Sequence, residues 1–311
     1  MAVTTDAFDA TELVAMIPEV WTPLTLEEMF AKTVLANFVT DLTSWAADGG
    51  DILHVPDVYT NSFSVQSQST QGAEVTTEAP AQNDVTLTIG THSYIAYLLG
   101  DKDMRQLSKM YDFNEVYAKK AGATLADALE DALAALWSGL STNSIGDTAT
   151  VLADLEVRQS INALAGGNFD LRECAWFFHP TVFWTQIAAV QKYYDASQIG
   201  LIGAEAKSLT KSGNFGPMDA SRGLHGSLYG IPLFVSTNMV SGLQTFRNLL
   251  LHKDCLAFAL QTPGGSKVRT QADYLVQNIA ALTVLDMVYG VVELRDAAGV
   301  VVNANNTATT A

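Results

Sequence analysis

Alternation of apolar and polar positions is clearest between residues 62 and 90. Phe63 and Val65 alternate with Ser62, Ser64 and Gln66, and further on Val85, Leu87 and Ile89 alternate with Thr86 and Thr88. This period of two predicts a pair of strands. The residues between them are mainly Ser, Gln, Thr, Glu and Ala, too polar to supply a core. A lone two-stranded ribbon is marginal in water, so the pattern predicts an extended hairpin held by something outside itself. Just upstream, Gly49 and Gly50 turn the chain, and Ile52, Leu53 and Val55 begin a further strand in which Pro56 cannot donate to a ladder.

Helical periodicity marks other segments. Thr25-Leu26-Glu27-Glu28 is a capping-box sequence, followed by an apolar face of Met29, Val34, Leu35 and Phe38. The strongest signal predicts a helix over 113–138. Asp112 and Glu115 stand at its start, Leu125, Leu129, Leu133, Leu136 and Leu140 recur on one face, and Gly139 stops it. Such a helix is roughly 39 Å long. From about 145 to 265 helices and strands alternate. A helix with Val157, Ile161 and Leu164 ends at Gly166-Gly167, and "CAWFFH" reads as a buried strand. Pro180 opens a helix with Phe183, Ile187, Val190 and Tyr194, and "IPLFVSTNM" leaves a glycine-rich loop at 213–230 as a strand. The last third is β-rich. Asp296 to Gly299 predicts a turn, with Val300 to Val302 returning as a hairpin, and residues 303–311 read as a disordered tail. The class is α+β.

Composition narrows the function. The 311 residues are 48% hydrophobic, and 33 acidic against 17 basic residues leave a net charge of −16. Between Lys32 and Lys102 there is no lysine or arginine, while eight carboxylates occur there, among them Glu74 and Glu78. A field of that sign disfavours tight, non-specific nucleic-acid binding. The N-terminus lacks the basic and apolar regions of a signal peptide, and no apolar run is long enough to span a membrane.

Catalytic motifs are missing. "TPGGSKV" at 262–268 lacks the spacing of a phosphate-cradling loop, and the glycines of 213–230 are too dispersed for a dinucleotide fingerprint. The five histidines are scattered, and Cys174 and Cys255 read as two buried thiols. His252, Asp254 and Cys255 cannot share one face of a strand. Asp127, Glu130 and Asp131 cluster on the long helix without a histidine, and read as a solvated or intersubunit face. No catalytic, cofactor-binding or metal-ligating residue is assigned.

Several segments in order resemble the major capsid proteins of tailed bacteriophages, with the Hong Kong 97 type of fold. "IPEVW" at 17–21 leading to "GGDILHVP" at 49–56 is similar to the arm of one branch of that family. "LYGIPLFVSTNM" at 228–239 and "HKDCLAFALQ" at 252–261 resemble its axial-domain strands, and "VYGVVELRDAAGVVV" at 288–302 its closing strands. The resemblance implies an N-terminal arm and helix at 1–50, an extended loop with flanking strands at 51–100, and a peripheral domain with a spine helix at 101–144. An axial domain at 145–265, returning peripheral strands at 266–302 and a tail at 303–311 complete it. It implies a self-assembling shell of pentamers and hexamers located in the virion capsid, built in the host cytoplasm with a separate scaffolding protein, a portal and decoration proteins as partners.

In such a shell the polar hairpin lies over neighbouring subunits. The contact residues implied are Trp21, Phe63, Val65, Glu74, Glu78, Val85, Leu87 and Ile89. Packaged DNA is touched only weakly. Some relatives join subunits through a lysine and an asparagine, one of them on the loop. Here the loop holds Asn61 and Asn83 but no lysine, so the loop is expected to supply no lysine for such bonds and the shell to lack covalent cross-links. Other readings are an encapsulin-like compartment, a soluble α/β enzyme using the loop at 213–230, and a tail or adhesin protein. The last two leave the polar hairpin or the long helix unexplained.

Overall fold

Two sheets and a long helix share one core. The computed structural model describes residues 33–46, 49–57, 65–67, 71–72, 74–75, 77–78, 83–100, 113–147, 151–190, 224–239, 245–261 and 267–305. The strands are β1 (Thr40–Asp41), β2 (Ile52–Asp57), β3 (Asn83–Thr88), β4 (Thr91–Gly100), β5 (Ser144–Ile145), β6 (Cys174–Phe178) and β7 (Leu224–Leu228). They continue with β8 (Ile231–Val235), β9 (Thr245–His252), β10 (Leu256–Leu260), β11 (Arg269–Leu275), β12 (Ala280–Glu293) and β13 (Gly299–Asn305).

One sheet has the order β5-β13-β9-β6-β8-β7. Its central strands are buried on both faces, and the period of two sends alternate residues to different cores. On β6, Ala175 and Phe177 face the core of the long helix, while Cys174, Trp176 and Phe178 face the helix Asp154–Gly166 and the turn Phe183–Ile187. β9 and β13 divide in the same way: Leu249, Leu251 and Val301 go to one side, and Leu250, Val300 and Val302 to the other. "CAWFFH" is thus a buried strand, as its composition predicts. Pro180 opens a helical turn capped by His179 Nδ1, which accepts from Thr181 N at 3.2 Å; the helix becomes π-helical over Phe183–Ile187 and stops there, and Tyr194 lies outside the described residues.

The second sheet has the order β1-β10-β12-β11, with β4 also paired to β12. The 14 residues of β12 are long enough to meet β11 over Ala280–Asp286 and β10 over Tyr289–Glu293. Against these two sheets packs the helix Phe113–Ala135, continued by a 3₁₀ turn Leu136–Ser138. Leu125, Leu129 and Leu133 are fully buried. Each contributes ~1.5–3 kcal/mol relative to exposure, which is why the leucine spacing locates this helix so well.

Several expectations are corrected. Among the described residues β3 pairs with β2, where Leu53 and Val55 stand opposite Leu87 and Val85, and residues 62–64 lie outside the description. Residues 65–67 are not a strand, and Phe63 lies outside the described residues. Residues 33–39 form turns, not the end of a helix, since the carboxylate of Glu130 holds their backbone; Thr25 to Glu28 lie outside the description. The turn at Asp296 carries the chain from one sheet to the other, so β12 and β13 form no hairpin. Asp296 instead binds the backbone and hydroxyl of Thr142, and β13 pairs with β9 and β5. Asn303–Asn305 belong to β13, held by its ladder to β9, and are not tail. Sheet membership also crosses the expected boundaries at 265 and 302: β10 joins β12, and β13 joins β9.

Candidate assembly surface

The β2–β3 ribbon rises from a small core of its own. Leu87 is fully buried and Ile89 nearly so, packed with Leu42, Ala46, Ala257 and Ala259, and with Leu53, Val55 and Val288 partly covered around them. The far face of β10 supplies the two alanines, whose small side chains leave room for the ribbon to lie close. Three polar contacts fix the base. Ile89 N donates to Asp51 O at 2.7 Å, Gln261 Nε2 to Gly50 O at 2.7 Å, and Leu260 N to Thr43 Oγ1 at 3.2 Å.

Gly290 is the residue that sequence reasoning missed here. A Cβ at this position on β12 would collide with the Thr88 carbonyl and come within 3.1 Å of Ile89 Cα. An isolated glycine inside a strand pattern signals such a close backbone approach, and that signal is present in "MVYGVV".

The placement divides the predicted contact residues. Leu87 and Ile89 are satisfied inside their own chain, which corrects the expectation that they seek a neighbour. Val85 is partly buried and lines a cleft of about 170 Å³ with Thr40, Leu42, Val55, Pro56 and Leu294. Val65 is 100% exposed, and Glu74 and Glu78 are exposed as well; Val75, not predicted, is 77% exposed. Gln66 Nε2 donates to Glu78 Oε1 at 2.6 Å, tying the two sides of the loop. Trp21 and Phe63 lie outside the described residues. A second apolar tip stands at the β11–β12 turn, where Val276 and Ile279 are 76% and 63% exposed and Ile279 has φ of 48°. A β-branched residue in the left-handed region is strained.

The polar clusters elsewhere are structural. Asp286 on β12 is bound by both arms of Arg269, at 2.9 and 2.8 Å, and by His92 Nε2 at 2.9 Å. Burial alone would raise its pKa, but the bonds and charges of Arg269 and His92 outweigh burial and hold it below the usual range. The expectation that Asp127, Glu130 and Asp131 form an exposed face fails for Glu130, which is 1% exposed and binds backbone N–H groups; burial raises its pKa, against those bonds and with help from Asp127.

His252 is buried with Glu173 Oε2 at 3.3 Å from its Nε2, while Cys255 points into the main core. The sulfur is therefore turned away from the imidazole. Burial, then Asp170 and Glu173, pushes the Cys174 thiol up to about 12, and burial pushes Cys255 well above its usual value. Protonated, covered thiols are poor nucleophiles. Among the described residues no group of three His, Cys, Asp or Glu side chains is arranged to hold a metal. No helix among them is long and apolar enough to cross a membrane.

No family model matches the sequence, and neither does any curated protein. Solved structures do match. A chain from Mycobacterium phage Che8 is 19% identical with a TM-score of 0.61, over 87% of this chain and 90% of that one. A chain of the bacteriophage PhiM1 mature capsid gives 13% identity and a TM-score of 0.65, over 88% of both chains. A virus-like particle from Pyrococcus furiosus gives 14% and 0.54, over 91% of this chain and 98% of that one. The chain has a fold found in phage capsids, along nearly its whole length.

Proposed function

We propose that this protein is a major capsid protein, a shell subunit that self-assembles around the double-stranded DNA of a tailed bacteriophage. The observation that carries the reading is the near full-length likeness of the fold to a mature phage capsid. The ribbon supports it. Its loop presents Val65 and Val75 to solvent, and such side chains gain burial only when another molecule covers them. A second copy of the same chain supplies that cover many times over, and each docked subunit raises the effective concentration for the next contact. Trp21, Phe63, Val65, Glu74 and Glu78 remain the contact residues of this reading, with Val85 at the edge of the cleft.

The acidic charge suits a wall that touches packaged DNA weakly. The loop has no lysine, so it supplies no lysine for such cross-links. The reading makes the protein a non-enzymatic component of the virion, assembled in the host cytoplasm as pentamers and hexamers on a separate scaffold, with a portal and decoration proteins. A second reading, an encapsulin-like compartment, draws on the likeness to the virus-like particle, which extends over 98% of that chain.

Negative-stain microscopy and light scattering of the purified chain, alone and with a scaffolding partner, test the proposal. Shells, or rings of five and six subunits, are the expected outcome. Monomers at every concentration, with and without the partner, sink it. Nuclease-resistant DNA in native particles distinguishes the phage shell from a compartment, which encloses protein cargo instead.

A further inference from the structure

We propose that Glu130 is a clasp that fixes the backbone of residues 33–39 against the long helix. Its Oε1 accepts the N–H groups of Val34 and Ala36, each at 2.9 Å, and its Oε2 accepts that of Leu35 at 2.9 Å. Three consecutive N–H groups converging on one anion make a concave backbone nest, the arrangement that elsewhere captures free anions. Here the anion comes from a helix some 95 residues away in sequence. The turn that follows closes through Phe38 N and Val39 N, which donate to Leu35 O at 2.9 and 3.0 Å. Glu130 therefore serves this turn as an N-cap residue serves a helix, from across the fold.

The chemistry requires a carboxylate. Ionised, it only accepts, and it has lone pairs enough for all three donors. An amide of the same shape sets its own N–H₂ against a backbone N–H. Alanine takes this acceptor from three donors, that of Leu35 buried and those of Val34 and Ala36 partly so, and a buried donor left unsatisfied is costly. The ionisable neighbours on the same helix, Asp127 and Asp131, are acidic, and Asn238 binds the Asp127 carbonyl. Among the described residues, backbone N–H groups and no basic side chain hold this carboxylate.

The strap that the clasp secures is lightly built. Leu35 and Val39 enter the main core, and the Phe38 ring meets Phe177 edge-on at 5.4 Å. Beyond these, its sheet contact is the two-residue pairing of β1 with β10. Local opening of such a segment can precede global unfolding. In a shell of the kind proposed, the clasp holds the backbone of residues 33–39 in place for contact with a neighbouring copy. That consequence rests on the assembly reading; the clasp itself does not.

Hydrogen exchange on the full-length subunit, held dilute, tests it with wild type, Glu130→Gln and Glu130→Ala. Peptides covering 33–39 are expected to exchange about ten-fold faster in both variants, while peptides from β6 and β12 keep their protection. Should Glu130→Ala fail to fold, the near-isosteric Glu130→Gln still decides, with faster tryptic cleavage after Lys32 as a second readout. Unchanged exchange at 33–39 overturns the proposal. So does loss of protection in β6 and β12 together with 33–39, because Glu130 is then an ordinary core residue. Open clasps with normal particles remove only the consequence for assembly.

Discussion

The base of the β2–β3 ribbon and the loop it carries are continuous in sequence and opposite in physics. At the base, alternation places Leu53, Val55 and Leu87 over the alanine face of β10, and the small core closes within one chain. In the loop, Val65 and Val75 have the same hydrophobic character and lie 100% and 77% exposed in the single chain. Period two therefore reports that a strand has one apolar face; it does not report whose surface covers that face. The base is a folding element, and in the proposed shell the loop is an element of association.

Leu87→Ala is the strongest way to break the contrast. A fully buried leucine replaced by alanine loses transfer energy and leaves a cavity, so about 2–5 kcal/mol of subunit stability goes with it. Urea unfolding of the dilute subunit measures this, and a loss under about 1 kcal/mol means that the base has no private core. The double variant Val65→Ser, Val75→Ser should do the reverse. Fully exposed side chains affect the subunit by about 0.5 kcal/mol or less. The concentration needed for assembly, followed by light scattering, is expected to rise several-fold. Equal assembly by wild type and the double variant removes the loop from the interface.

The parts of the fold legible in the sequence are those governed by local periodicity. Leu125, Leu129 and Leu133 announce the long helix, and five consecutive apolar residues announce β6, because both bury their side chains inside one chain. What was illegible depends on pairing at a distance. The alternation of 62–66 looks as strand-like as that of 52–57, yet the sequence does not say that it is 52–57 that stands opposite Val85 and Leu87. Val300 to Val302 are equally apolar whether they return beside β12 or, as they do, beside β9. Glu130 reads as a surface carboxylate because its partners are backbone N–H groups, which every residue but proline carries and no side-chain pattern reveals. Of the candidate site, Val65, Glu74 and Glu78 are exposed in the single chain, and Gly290 went unnoticed although its position in a β-prone run marked it.

The contrast extends to charge, where the expected effect is smallest. Glu74 and Glu78 stand in the open loop, whereas Glu130 and Asp286 are buried and have been given donors. Those two titrate in opposite directions. Asp286 is held below its ordinary 3.8 by Arg269 and His92 against the cost of burial. The stability it contributes is present above that value and is lost as pH falls through its folded pKa.

Glu130 is raised above its ordinary 4.5, burial outweighing its three N–H bonds. The folded chain then binds a proton more readily than the unfolded chain does. Its effect is to make the fold more stable toward acid, an increment that fades as pH rises from 4.5 through the folded value. The urea midpoint of the dilute subunit should thus improve on modest acidification from neutrality and collapse at lower pH. Asp286→Asn should flatten the acid limb and Glu130→Gln the upper one. Profiles for Glu130→Gln and wild type that run parallel across both limbs mean that this carboxylate does not titrate with folding. The clasp would then be held by its geometry alone.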